Sequence, residues 1–151
     1  MQTISDIKSA FERFVDEHFQ LKQFYTNSVE EMDIDKMDVV LFPFLYAQVE
    51  NAEIGVGFTE LQYRIIVADL VIEQQLPNLD NVYTDTLLIM QDCIASFYNS
   101  DQSVVPVQYG IGMPVQCSPF TASYDNLLTG WDCQLNIRVP NALELCDIPT
   151  R

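Results

Sequence analysis

The residues best able to do chemistry in this sequence are one histidine, four cysteines and 22 acidic residues. A histidine acts as a general base when a nucleophile lies within hydrogen-bond reach. His18 instead lies inside a helical pattern of apolar residues, beside acids and without an obvious nucleophile. A packed or surface histidine is therefore the favoured interpretation, and a catalytic base is the alternative.

The four cysteines, Cys93, Cys117, Cys133 and Cys146, are far apart in the sequence and form no CxxC pair. Zinc sites usually combine closely spaced cysteines and histidines, so a zinc site is disfavoured. The favoured interpretation is that these cysteines are reduced, buried thiols that act as small apolar side chains. A disulfide is the alternative if the mature protein lies outside a cell.

The acidic residues offer so many carboxylate pairs that no single pair stands out as hydrolytic. The segment from Asp33 to Asp38 resembles a calcium loop, but an EF-hand needs glycine at its sixth position and glutamate at its twelfth. This chain has Asp38 and Phe44 there, which favours a solvated acidic loop. P-loop, GxGxxG, GxSxG and HExxH motifs are also missing from the sequence. The sequence thus predicts a non-enzymatic protein without a cofactor or metal ion.

The charge balance argues against ordinary binding to nucleic acid or to an anionic membrane. Seven basic residues face 22 acidic ones, which gives a formal net charge of −15 and a surface that repels phosphate. Yet 48% of the residues are hydrophobic and 19% are charged, enough apolar material for one core. The length predicts a single domain over residues 1–151. With no signal-peptide pattern and no apolar run of roughly 18 residues, we expect a soluble product made in the cytoplasm.

The elements that must position these side chains follow from hydrophobic periodicity. The pattern predicts a helix over about 3–25, strands over about 38–50 and 57–73, a helix over about 82–98, and strands over about 105–118 and 129–140. The first two strands form a long hairpin around Gly55–Gly57. Gly130, at the start of the last strand, is suited to a positive φ. We expect an α+β domain with one antiparallel sheet and two main helices packed on one face.

The last predicted strand has one apolar and one polar face. Apolar residues from Trp131 to Val139 alternate with Asp132, Gln134, Asn136 and Arg138. A broad polar face meets either water or a polar partner. Aromatic residues make up 11% of the chain, more than one small core readily absorbs, which indicates that another copy covers part of the surface.

The order of elements, together with three C-terminal phrases, resembles a known family. The phrases are residues 125–131 (DNLLTGW), 136–140 (NIRVP) and 146–149 (CDIP). The chain resembles the small neck and tail-completion proteins of tailed bacteriophages, which have a tail terminator-like fold, and among them virion proteins of crAss-like phages.

This resemblance implies a structural virion protein that forms a homo-oligomeric ring in the neck or tail. Such a ring joins the portal to the tail and seals the DNA conduit, and it has no catalytic residues. Its implied partners are further copies of itself and neighbouring portal, neck or tail proteins. DNA passes without specific binding, no membrane is involved, and the protein is made in the cytoplasm of the bacterial host.

The acidic surface suggests how such a ring would handle DNA. Carboxylates along a conduit offer duplex DNA no attractive positions, so the DNA can slide. We expect the lining acids to be Glu50, Glu53 and Glu60. Acids expected to form contacts between rings are Glu30, Glu31, Asp33 and Asp35.

Two other functions remain open on the sequence. An acidic domain could mimic DNA and inhibit a host DNA-binding protein by presenting carboxylates at phosphate-like spacing. A hydrolase that uses acids has least support, because it would need a formed pocket with raised carboxylate pKa values.

Overall fold

A computed structural model describes residues 4–26, 43–71, 79–98, 110–123 and 127–140. They form two helices and six strands, which confirms the α+β class. In chain order the elements are α1 (Ile4–Glu17), β1 (Gln23–Tyr25), β2 (Phe44–Ile54), β3 (Phe58–Val71), α2 (Leu79–Tyr98), β4 (Gly110–Ile111), β5 (Cys117–Ser123) and β6 (Leu127–Pro140).

The six strands form one sheet in the order β1-β2-β3-β6-β4, and β5 pairs with β6 on the same side as β4. Every pairing is antiparallel except that of β1 with β2, which is parallel. The sheet is therefore mixed, and the prediction of a purely antiparallel sheet was wrong at this one edge.

The parallel strand was missed because the first helix ends earlier than its periodicity predicted. α1 stops at Glu17, and residues 23–25, predicted as helix, form β1. Leu21 keeps the helical spacing and is buried, but it lies in the connection between the two elements. Periodicity identified this side chain as a core residue without fixing the backbone around it.

The predicted hairpin is confirmed as β2 and β3, which pair along nearly their whole length. Its turn contains Gly57 at a φ of 88°, a conformation that glycine adopts without the strain of a Cβ. The register shifts between Val49 and Asn51, so Glu50 lies at a β-bulge. Residues 38–42 and 72–73 of the predicted strands lie outside the described residues.

The predicted strand over 105–118 is divided in two. Ile111 faces Ile137 and Cys117 faces Cys133, so this segment carries two more residues than the stretch of β6 opposite it. Pro114 lies in the extra length, and proline cannot donate to a ladder hydrogen bond. Residues 105–109 lie outside the described part. The other predicted elements agree with the structure within a few residues: α2 begins at Leu79 and β6 at Leu127.

One apolar core joins the helices to one face of the sheet, as predicted. Its strand residues alternate along β3 and β6 with side chains on the opposite face. Phe11 of α1 contacts Phe97 of α2, with ring centroids 4.6 Å apart, so the helices also pack against each other. The core side chains contributed by the helices include Ile7, Phe11, Phe14, Ile89, Met90, Cys93 and Phe97.

Gly130 is required for a different reason from the one predicted. It lies within β6 opposite Ala68, and Gly57 is the glycine with a positive φ in the described chain. A Cβ at Gly130 would lie 1.9 Å from the carbonyl oxygen of Val67, far inside contact distance. Glycine therefore allows the close approach of β3 and β6.

Candidate functional site

The sheet face turned away from the helices carries a row of polar side chains, here called the polar face. Its members alternate with core residues along β3 and β6 and continue onto β2 across the bulge. They are Gln48, Glu50, Asn51, Glu53, Glu60, Gln62, Arg64, Asp132, Gln134, Asn136 and Arg138. The row covers the half of this face nearer the hairpin turn, because Phe44, Tyr46 and Ile66 on the same face are buried.

Arg64 and Asp132 form the best-defined contact of the polar face. The Arg64 Nε donates to both carboxylate oxygens at 3.2 and 3.0 Å, and its Nη2 donates to Oδ2 at 2.6 Å. The hydrogen bond with Asp132 raises the pKa of Arg64, partly offset by burial. Glu50 adds a longer contact, 4.0 Å from Nη1. The guanidinium is thus fixed between two acids.

A second arginine lies towards the hairpin turn. Arg138 and Glu60 are opposite each other in the ladder, with Nε 3.9 Å from Oε2. The Glu60 side chain is only 16% exposed. The Arg138 guanidinium also lies 4.9 Å from the centre of the Phe58 ring, a cation–π distance. Between the two ion pairs, Gln134 donates to Gln62 at 3.0 Å.

The structure brings together the three acids predicted to line a conduit. Glu53 lies directly opposite Glu60, and Glu50 approaches Arg64, so all three belong to the polar face. Together with Asp132, this face has four carboxylates and two guanidiniums, an excess of two negative charges. Each arginine has an acid within 4.0 Å, so the face presents no unpaired cation of its own to a phosphate.

The other predicted site residues, Glu30, Glu31, Asp33 and Asp35, lie outside the described residues. No role for the two arginines of the polar face follows from the sequence alone. Their alternation with core residues placed them on this face, but their acid partners depend on the strand register.

His18 is a packed histidine that joins the end of α1 to α2. Its Nδ1 accepts a hydrogen bond from the backbone N–H of Gln20 at 3.2 Å, so the ring proton lies on Nε2. This nitrogen donates to Asp92 Oδ2 at 2.9 Å. The ring also packs against Phe14. Nδ1 thus holds the ring against the chain that follows α1, and Nε2 links it to α2.

The interpretation of all four cysteines as reduced thiols was wrong for two of them. Cys117 and Cys133 form a disulfide with their Cα atoms 4.3 Å apart, because β5 and β6 place them directly opposite each other. Cys93 is a free, buried thiol, and burial raises its pKa. Cys146 lies outside the described residues. The pairing was missed because it depends on the register of β5 against β6.

A groove of about 410 Å³ lies between the second half of α2 and the connection from β4 to β5. Its walls are mostly apolar, which suits burial of apolar side chains. The lining residues are Gln91, Ile94, Ala95, Tyr98, Met113, Pro114 and Val115.

Among the described residues, no group of three or more histidine, cysteine or acidic residues is arranged to hold a metal ion. No helix in this part of the chain is both long and apolar enough to cross a membrane.

No protein-family model matches this chain, and no curated protein matches it. Function is therefore inferred from the surfaces and charges described above.

Proposed function

We propose that this chain is a non-enzymatic structural protein of a tailed-phage virion. It forms a homo-oligomeric ring in the neck or tail, connects the portal to the tail and lines the DNA conduit. The observation that supports this proposal best is the polar face, which gathers Glu50, Glu53 and Glu60 and pairs each of its arginines with an acid.

The polar face has the charge pattern that sliding DNA requires. Duplex DNA carries about one negative charge per 1.7 Å of its axis. A wall with free lysines or arginines would bind these phosphates, whereas paired arginines and excess carboxylates do not. The core behind the sheet holds the face in place, so the charge pattern is fixed.

Two further observations are consistent with this function. The helix, hairpin, helix and closing β-strands occur in the order that the family resemblance implies, and a tail terminator-like arrangement is part of the proposal. The disulfide between Cys117 and Cys133 suits a particle that persists outside the reducing cytoplasm.

Measuring the mass of the protein in solution tests whether it forms a ring. Measuring the rate of genome release from assembled particles tests whether the polar face lines the conduit. Exchanging Glu50 and Glu53 for lysine places unpaired cations on the polar face, so we expect rings to form and DNA release to slow. The control exchanges Glu12 and Asp16, which are exposed on α1, for lysine and has the same change in charge. Unchanged DNA release in the polar-face variant, or equal slowing in the control, would contradict the proposed lining.

The charge of the helices favours a second candidate, an inhibitor that mimics DNA. Their exposed residues include seven acids and only two bases, Lys8 and Arg13. The acids are Asp6, Glu12, Asp16, Glu17, Asp80, Asp85 and Asp92. A mimic would be a monomer that binds a basic DNA-binding protein and releases it at high salt. The same mass measurement therefore separates the two functions.

A further inference from the structure

The sheet has two outer edges that pair with no strand of the described chain. β1 pairs with β2 only as far as Tyr46, so the outer edge of β2 from Val49 to Ile54 has no partner among the described residues. Residues 50–54 are exposed, so this edge lies in solvent. On the other side of the sheet, β5 pairs only with β6 within the described part of the chain. Such edges are where a strand of another copy can add.

The hydrogen-bond pattern of the hairpin shows which backbone groups of β2 point outwards. The N–H of Gly55 donates to the carbonyl of Phe58 at 2.9 Å, so these two residues form a hydrogen-bonded pair. Hydrogen-bonded and non-hydrogen-bonded pairs alternate along an antiparallel ladder. Ile54 and Ala52 belong to the non-hydrogen-bonded pairs, so their N–H and C=O groups point away from β3.

Three features close this edge of β2 to an added strand. The outward N–H of Ala52 donates to the side-chain Oδ1 of Asn51 at 2.9 Å, so this donor is already engaged. The bulge at Glu50 breaks the regular alternation that a partner strand would need. Glu50 and Glu53 also place two carboxylates beside the edge, and these would repel the same acids of a second copy.

Pro119 closes the edge of β5. The Cα atoms of Cys117 and Cys133 are 4.3 Å apart, the short spacing of a pair that is not hydrogen-bonded. Pro119 faces Trp131 two residues further along and therefore has the same register. Any other residue at this position would direct an N–H away from β6, and proline has none. The proline thus removes a donor from the outer edge without weakening the ladder with β6.

We propose that Asn51, the bulge at Glu50 and Pro119 close both edges of the sheet to strand addition. Copies of this chain therefore meet through their side chains and not by extending the sheet. The two edges are different surfaces, so pairing β2 of one copy with β5 of the next would be heterologous and would continue as an open fibre. This inference goes beyond the proposed function and does not depend on it, because a monomer needs the same protection as a ring.

A variant with both edges opened tests the proposal. Asn51→Val frees the N–H of Ala52, and Pro119→Val supplies an outward N–H on β5. We expect this double variant to form thioflavin T-binding aggregates at least about tenfold faster than the wild type at physiological salt, because each restored donor adds a hydrogen bond to the contact between copies.

The matched control is the double variant Gln62→Val and Ser118→Val. It adds two β-branched apolar side chains to the same sheet, but it frees no donor at an edge. Gln62 lies on the central strand β3, and the N–H of Ser118 points towards β6 because its pair follows that of Cys117 in the ladder. This control should stay as soluble as the wild type.

A third substitution should reverse the effect at β5. Residue 121 has the same outward register as residue 119, so Thr121→Pro removes an outward N–H without breaking a bond to β6. Added to the double variant, it should slow aggregation again. Circular dichroism verifies that each variant is folded. Pro119→Ser, which restores the N–H with a small polar side chain, is the second variant if Pro119→Val does not fold.

Each outcome supports or overturns the closed edges. A folded double variant that aggregates no faster than the wild type would overturn the proposal. Equally fast aggregation of the control would overturn it too, because added apolar surface would then be the cause. If Thr121→Pro leaves the aggregation rate unchanged, the role of Pro119 is overturned. A wild type that is monomeric in solution would contradict the proposed ring and leave the closed edges standing, so the two failures are distinguishable.

Discussion

Several side chains on the polar face are held in place by hydrogen bonds to other side chains. Arg64 contacts both oxygens of Asp132, and Gln134 bonds to Gln62 across the same two strands. Such contacts order long side chains that would otherwise sample many rotamers. They therefore fix where charge lies on the surface, which is the property that the proposed function requires.

Replacing Asp132 with asparagine should lower the free energy of unfolding by about 1 kcal/mol, allowing for partial exposure of the pair. The asparagine loses the charge and one acceptor for the guanidinium. Chemical denaturation measures the change. Arg13→Gln is the control, because its partner Glu17 is an exposed neighbour on α1 and that pair contributes only about 0.5 kcal/mol. An equal decrease in the free energy of unfolding in both variants would show that the Arg64–Asp132 pair stabilises the fold no more than an exposed pair does.

Cys93 should make stability depend on alkaline pH. Burial raises the pKa of its thiol, so the native state keeps a proton that the unfolded chain loses above about pH 8.5. Below that pH the stabilisation is fully present. Above it, the free energy of unfolding should fall by about 1.4 kcal/mol per pH unit through this group alone.

Denaturation of the wild type and of Cys93→Ala between pH 7 and 10 tests this dependence. The alanine variant should be less stable at neutral pH, and the difference should narrow as pH rises. A difference that stays constant across this range would show that the thiol titrates equally in the native and unfolded chains.

At the scale of elements, β6 organises the sheet. It pairs with β3 along its length on one side and with β4 and β5 on the other. The disulfide and the close approach at Gly130 both lie on this strand. Substitutions on β6 should therefore lower the free energy of unfolding more than comparable substitutions elsewhere in the described sheet.

Replacing Cys117 and Cys133 with serine should lower the free energy of unfolding by about 3 kcal/mol. The disulfide links residues 16 positions apart and thereby restricts the unfolded chain. Thermal unfolding with and without a reducing agent measures the effect. Reduction should lower the melting temperature of the wild type and leave that of the double variant unchanged. A wild-type melting temperature that does not change on reduction would contradict a disulfide in the native protein.

Gly130→Ala should destabilise the fold by about 3 kcal/mol or prevent folding, because the added methyl group would collide with the backbone of Val67. Gly112→Ala is the matched control, since its Cβ would meet its nearest neighbour at 3.4 Å, an ordinary contact. Comparable stability of the two variants in denaturant would show that β3 and β6 separate easily.

The sequence predicted those elements whose periodicity is long and uninterrupted. The hairpin and α2 belong to this group, and so does the alternation that separates core from polar side chains on β6. Residues 23–25 are too few to display a strand period, and their helical spacing was misleading. The disulfide and the arginine–acid pairs depend on contacts between distant residues, which no local pattern contains.

The whole molecule combines an ordinary apolar core with an unusually acidic surface. Within the described residues, the exposed positions of the helices carry seven acids against two bases, and the polar face has an excess of two negative charges. The sequence predicted the total charge, but the placement of these charges on two surfaces needed the fold.

Self-repulsion of this charge should make the protein more stable as salt increases. Compact folding brings the acids closer together than they are in the unfolded chain, and salt screens the resulting repulsion. The melting temperature should therefore rise between low and physiological concentrations of sodium chloride. A decrease in the melting temperature as salt increases would mean that favourable ion pairs outweigh the repulsion between acidic residues.

The bond between Cys117 and Cys133 also affects how the chain responds to proteases. It closes a covalent loop, so one cut anywhere between the two cysteines opens the loop without dividing the polypeptide into separate molecules. A protein nicked there would keep its mass on a non-reducing gel and separate into two fragments only after reduction. A particle containing this chain could thus be cleaved at that loop and lose no piece of it.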